Sequence, residues 1–231
     1  MSEAVSVIRE RRQAVLHDKK WLKLLSHARL FRFVPFIDLV MVAGSMATGE
    51  VRSSSDFDII VGVRRGRMFT ARFLLIIALD LFGWRRKNLD HGEASADTLC
   101  LNHFVTHTRY RLQEPHGAYW KELYQSLVPI YGELSTVQTF YDANVPWMGE
   151  RVYGDDLRHK YKNASIIKIF LEKMLLGKVG DWLEKRLSAA QIRRINTKLL
   201  PHVGYKPRLI ISDDELELHL DTRRIEELER G

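Results

Sequence analysis

The chain has a single cysteine, Cys100. One thiol cannot form an intrachain disulfide and gives no sign of an oxidising compartment. Long hydrophobic runs are missing as well. The longest, Phe73 to Trp84, covers twelve residues and contains Asp80, short of the ~20 apolar residues a membrane-spanning helix needs. The opening MSEAVSVIRERRQ lacks the apolar centre of a secretory signal. No internal repeat or low-complexity tract interrupts the chain, and there are only six prolines. These absences predict a cytoplasmic protein with no membrane among its partners. They leave its oligomeric state open. Acidic residues are in deficit, 29 against 36 lysines and arginines, for a net charge of +7. That balance suits a polyanionic ligand such as a nucleotide or RNA, and it serves solubility equally well.

What is present is ordinary globular composition, 45% hydrophobic and 28% charged over 231 residues. This is enough for a full core and one or two domains. The informative stretch runs from Val42 to Val63 and reads VAGSMATGEVRSSSDFDIIVGV. An apolar run, Phe36 to Ala43, is broken only by Asp38 and ends in Gly44-Ser45. Ten residues later comes Asp56-Phe57-Asp58, followed at once by the apolar Ile59 to Val63. Residues two apart on a strand share a face, roughly 7 Å apart. Asp56 and Asp58 therefore project together, with Phe57 turned to the core. Neighbouring carboxylates repel unless a positive group lies between them. Mg²⁺ answers this well, since it is bound by one or two carboxylates together with substrate phosphates. Glycine lets backbone approach a ligand closely, and turn amides after a strand form an anion-binding concavity. A Gly-Ser turn beside an Asp-x-Asp strand thus reads as a phosphate cradle next to a metal clamp.

An apolar strand, Gly44-Ser45, ten residues, then Asp56-x-Asp58 in a second apolar strand resembles the nucleotidyltransferase superfamily typified by DNA polymerase beta. Within it, the chain is most similar to small bacterial and archaeal members with a helical tail. The likeness covers roughly the first half of the sequence. It implies an α+β fold: a small mixed sheet flanked by helices, followed by a mostly helical C-terminal module. The expected division is a nucleotidyltransferase domain over 1–112 and a helical module with a short C-terminal hairpin over 113–231. The implied activity is transfer of a nucleoside monophosphate from a nucleoside triphosphate to an acceptor, with release of pyrophosphate. The acceptor class, whether small molecule, RNA or protein, is not legible. Gly44 and Ser45 would hold the β- and γ-phosphates, and Asp56 and Asp58 would bind Mg²⁺ or Mn²⁺. Family members often carry a basic residue where this chain has Thr48; Arg52 is the candidate replacement against a phosphate, with a solvated loop arginine as the equal alternative. Ser53, Ser54 and Ser55 resemble the small polar run before the first aspartate.

A third strand is expected at Thr98 to Thr106. There the family places a third carboxylate that binds metal and takes the acceptor proton. This chain has Asn102, which can offer a carbonyl oxygen but no base. His103 or His107 could serve instead, since imidazole titrates near neutrality. Asp97 is the nearest carboxylate, on the opposite face by strand alternation unless a bulge intervenes. The departure opens an alternative: a catalytically degenerate protein of this fold that binds nucleotide or RNA without turnover. Elsewhere, residues 3 to 33 and Met68 to Phe82 read as helices. Ala118 to Ile130, Leu134 to Tyr141, Lys162 to Leu176, Val179 to Leu187 and Ala189 to Leu200 do so too. Trp120, Tyr124, Trp147 and Trp182 are expected to fill the core of the second half. Residues 208 to 220 read as two short strands around a turn at Ser212 to Glu215, and 221 to 230 as a charged helix.

Overall fold

A computed structural model describes residues 2–86, 96–114, 116–151, 156–199 and 208–219. The charged helix expected at 221 to 230 lies outside them. Helix α1 (Ser2–Ala28) leads through a 3₁₀ turn into strand β1 (Ile37–Val42). The short helix α2 (Gly44–Thr48) and a loop precede β2 (Phe57–Val63), and helix α3 (Met68–Leu81) connects to β3 (Leu99–Thr106). The second half supplies α4 (Ala118–Ser126), β4 (Val128–Gly132), α5 (Leu134–Met148), α6 (Ile166–Met174) and α7 (Lys178–Arg194). A hairpin of β5 (Arg208–Ile211) and β6 (Glu215–His219) completes the described chain.

All six strands form one mixed sheet in the order β4-β1-β2-β3-β6-β5. Only β2 and β3 run parallel, as a strand pair joined by a crossover helix must. Side-chain alternation splits the core between the two faces. Phe57, Ile59 and Val61 join Trp21 and Leu24 of α1 and Phe69 and Leu75 of α3. Leu39, Met41 and Ile60 face Trp120 and Tyr124 of α4 and Phe140 and Tyr141 of α5. The sheet is thus α+β in class, covered on both sides, and strands from both halves of the sequence belong to it.

Several boundaries differ from the sequence reading. Val128 to Ile130 does not continue α4 but forms edge strand β4 against β1. Pro129 is tolerated there because an edge strand has one unpaired side. Residues 178 to 194 form one helix without a break near Ser188. Trp120 and Tyr124 are buried as expected, but Trp182 is 59% exposed. On α1, Arg9, Arg11, Arg12 and Lys19 are exposed, while Lys20 is buried and donates to the Ser55 carbonyl oxygen at 2.7 Å.

The turn Arg64-Arg65-Gly66-Arg67 fastens the later elements to the sheet. Arg64 pairs with Glu172 of α6 (2.9 Å), Arg65 with Asp214 of the hairpin turn (3.1 Å), and Arg67 with Asp181 of α7 (2.7 Å). Glu184 of α7 accepts from the backbone N–H groups of Phe69 and Thr70 at 2.9 and 2.8 Å. These N–H groups lie in the first turn of α3, where no intrahelical partner exists.

Candidate active site

β1 ends where Gly44 takes φ +61°, a left-handed conformation that favours glycine. The bend turns the chain against β2. A Cβ at Gly44 would lie 2.4 Å from Asp58 Oδ2, so the missing side chain is what lets the carboxylate sit on the bend. The Ala43 N–H donates to the Asp58 carbonyl oxygen at 2.9 Å and fixes the approach. Between bend and strand, α1 holds the loop. Gln13 donates to the carbonyl oxygens of Gly49 (3.2 Å) and Val51 (2.8 Å), and Lys20 donates to that of Ser55.

Asp56 and Asp58 do point the same way, with Phe57 fully buried opposite. Oxygens of the two carboxylates and Cys100 Sγ all lie within 4.8 Å of one another. The cation beside Asp56 is a guanidinium: Arg86 Nη1 donates to Asp56 Oδ2 at 2.7 Å and reaches Cys100 Sγ at 3.7 Å. Both side chains of this pair are about nine-tenths buried. Burial and the two aspartates push the Cys100 thiol well above its usual range, which favours its neutral form. A hard divalent ion fits the remaining donors. Asp58 and Asp56 Oδ1 supply carboxylate oxygen, since a carboxylate bonded at one oxygen keeps acceptor capacity at the other.

No family model, curated protein or solved structure matches this chain.

Asn102 is half-buried on β3 and lines a narrow cleft with Ala43, Asp58, His103, Trp120 and Tyr124. The cavity holds about 20 Å³, room for water-sized groups. The β2–β3 register slips between Asp58 and Ile60, where Cys100 and His103 are the matching partners. Leu101 and Phe104 consequently share one core although three residues apart. This is the signature of a β-bulge, and such bulges re-aim side chains. Here Asn102 and His103 both reach the cleft. His103 is buried, with Nε2 3.3 Å from Glu215 Oε1 of β6. Glu217, also buried, is its register partner.

Other expected residues lie elsewhere. Asp97 takes φ +60° and binds Lys20 (2.6 Å) and Lys23 (2.9 Å); burial raises its pKa, but the hydrogen bonds and charges of the two lysines together outweigh it and hold the carboxyl below the usual range. Asp97 is not among the residues that line the cleft. Arg52 is exposed, and its backbone N–H donates to Ser55 Oγ at 2.9 Å. The Ser55 hydroxyl thus closes the loop. Ser45 is half-buried, and its carbonyl oxygen accepts from the Gly49 N–H (3.0 Å). His107 sits in an exposed turn past β3. Cys100 lies with Asp56 and Asp58, whereas His103 lies with Glu215 and Glu217. Sequence reasoning missed Arg86 as the partner of Asp56. Its only signal was the basic run Arg85-Arg86-Lys87.

Proposed function

We propose that this chain is a nucleotidyltransferase of the polymerase beta-like type, using a nucleoside triphosphate and Mg²⁺ or Mn²⁺. The observation that carries the reading is Asp58 seated on the Gly44 bend, with Asp56 beside it and Asn102 across the cleft. The element order helix–strand–helix–strand–helix–strand supports it. So does the sheet core, with β1 antiparallel and β3 parallel to β2.

The backbone N–H groups of Gly44 and Ser45 open α2 and have no partner within it. They would receive phosphate oxygens of the triphosphate tail. Asp58 and Asp56 Oδ1 would hold the metal, which when bound offsets charge on the phosphates. Arg86 lies close enough to Asp56 to temper the negative charge of the pair. In the transfer, an acceptor hydroxyl oxygen bonds to the α-phosphorus, and the bond from that phosphorus to the α,β-bridging oxygen breaks. Pyrophosphate leaves with the bonding pair. Asn102 cannot take the acceptor proton, so His103 takes it, with Glu215 orienting and stabilising the imidazolium. Positioning and charge neutralisation supply most of the acceleration.

Two features favour a second reading, binding without turnover: the neutral Asn102 and the guanidinium on Asp56. One experiment separates the readings. α-Labelled ATP, GTP, CTP and UTP are incubated with protein, Mg²⁺ and lysate fractions, while binding is followed by calorimetry. Labelled product and pyrophosphate that vanish in Asp58→Ala support transfer, and His103→Gln should lower the rate while leaving affinity intact. Mg²⁺-dependent binding with no labelled product selects the second reading. Binding equally tight in Asp56→Ala/Asp58→Ala removes both.

A further inference from the structure

Helix α6 is built inside out. Its charged residues Lys168 and Glu172, one turn apart, are buried, while its large apolar residues face solvent. Lys168 Nζ donates to the carbonyl oxygen of Ile37 and to the Tyr131 hydroxyl (2.7 Å), and Glu172 accepts from the Phe36 N–H (2.8 Å) and from Arg64. Polar anchors thus seat the helix on the end of the sheet. They leave Ile166 86% exposed, with Ile167, Phe170 and Met174 above half. Exposed apolar residues occur on α7 as well. Gly180 packs so tightly on the Leu175 carbonyl oxygen that a Cβ there would overlap it, and beyond this turn Val179 and Trp182 are 66% and 59% exposed. An exposed apolar patch of this kind marks an interaction surface, since isolated monomers rarely leave one uncovered.

The charges around the patch select its occupant. The exposed cations of α6 and α7 are Lys173, Lys178, Lys185, Arg186, Arg193 and Arg194. Their acids are engaged with the body: Glu172 by Phe36 and Arg64, Asp181 by Arg67, and Glu184 by the start of α3. Arg186 lies over the Trp182 ring, 5.6 Å from its centroid. An apolar ridge of Ile, Phe, Met and Trp with a cationic border is the make-up of helices that lie in a bilayer interface, where Trp and long basic chains sit at headgroup depth. A second copy of the chain would bring the same cations together, each on a body of net charge +7, and like charges across an interface disfavour that pairing. We propose that α6 and α7 dock this protein on an anionic lipid surface. Among the described residues no helix is long and apolar enough to cross a bilayer, and surface docking needs none. It also stands apart from the nucleotidyltransferase reading, because none of these residues lines the cleft.

The test is flotation of the full chain with vesicles of phosphatidylcholine, alone or mixed with phosphatidylglycerol, at low and high salt. The expected result is binding to the mixed vesicles at low salt. Partition should fall on the order of a hundredfold on neutral vesicles. Ile167→Glu/Phe170→Glu, at exposed positions, should lose the binding while keeping wild-type circular dichroism. Lys178→Glu/Lys185→Glu should weaken it and flatten its salt dependence. Absence of flotation with the mixed vesicles overturns the proposal. So does a dimer or protein complex that Ile167→Glu/Phe170→Glu dissolves while vesicles bind neither form.

Discussion

Replacing Gly44 with alanine tests the close approach on which the candidate site rests. Two costs separate cleanly, because Gly49 provides a control five residues away. Gly49 has φ +87° and nothing within 4 Å of a built Cβ. Gly49→Ala therefore pays only for holding a Cβ in left-handed backbone, about 1–2 kcal/mol. Gly44→Ala pays the same, at φ +61°, and also drives its Cβ to 2.4 Å from Asp58 Oδ2, where real Cβ contacts stay beyond 3.0 Å. Overpacking of that kind adds about 1–3 kcal/mol, for a total of about 2–5 kcal/mol. In an Asp58→Ala background the offending oxygen is gone. Gly44→Ala should then cost little more than Gly49→Ala, a coupling of about 1–3 kcal/mol. Urea denaturation of the four proteins in the cycle, with Gly49→Ala alongside, measures it. Calorimetry with Mg²⁺ and nucleoside triphosphate should find affinity near wild type in Gly49→Ala and lower by about tenfold or more in Gly44→Ala, where Asp58 is displaced. Equal costs for the two glycines, with no coupling to Asp58, would refute the placement of the carboxylate on the bend.

Two further outcomes follow from buried charge. Asp56→Asn leaves the Arg86 guanidinium in a site that is about nine-tenths buried, so it should cost about 3–5 kcal/mol by denaturation. Asp56→Asn/Arg86→Gln should cost less than the single change, and an Asp56→Asn loss under about 0.5 kcal/mol would contradict the ion pair. His27 is buried and stacked on Trp84 with ring centroids 4.0 Å apart, and its Nδ1 lacks a hydrogen-bond partner. Burial, followed by the nearby Lys23 charge and against the pull of Asp97, lowers its pKa from 6.5 to about 4. Below pH 6.5 the unfolded chain binds a proton that the folded chain refuses. Stability should therefore be complete above that pH and fall by up to about 3 kcal/mol as pH drops towards 4. His27→Phe should flatten this part of the profile, and an unchanged slope would assign it to other groups.

Local pattern carried much of the site into view. Alternation in Asp56-Phe57-Asp58 put both carboxylates on one face and the ring in the core, as the structure has them. The Gly44-Ser45 bend was readable because few residues other than glycine adopt its φ. Pairing partners were not readable. Nothing local links Arg86 to Asp56, thirty residues apart, or Glu215 to His103 across 112. Alternation left open whether a bulge interrupts β3, because that depends on how β3 registers against β2. Propensity extended α4 into Val128 to Ile130, where the open edge of β1 captured the segment as a strand.

By itself, then, the sequence determined which short segments alternate, where the chain must bend, and which acids share a face. These properties depend on neighbours along the chain. Tertiary structure alone decided that a guanidinium sits on Asp56 and that β4 and β6 extend the sheet on either side. It also decided that α6 turns Lys168 and Glu172 inward and its apolar face out. The 3.6-residue period shows that a helix has two faces, but not which one is buried. Here the buried face is the polar one, because the Ile37 carbonyl, the Phe36 N–H, the Tyr131 hydroxyl and Arg64 offer partners for Lys168 and Glu172. Those partners come from more than thirty residues away in sequence and meet only once the sheet has formed.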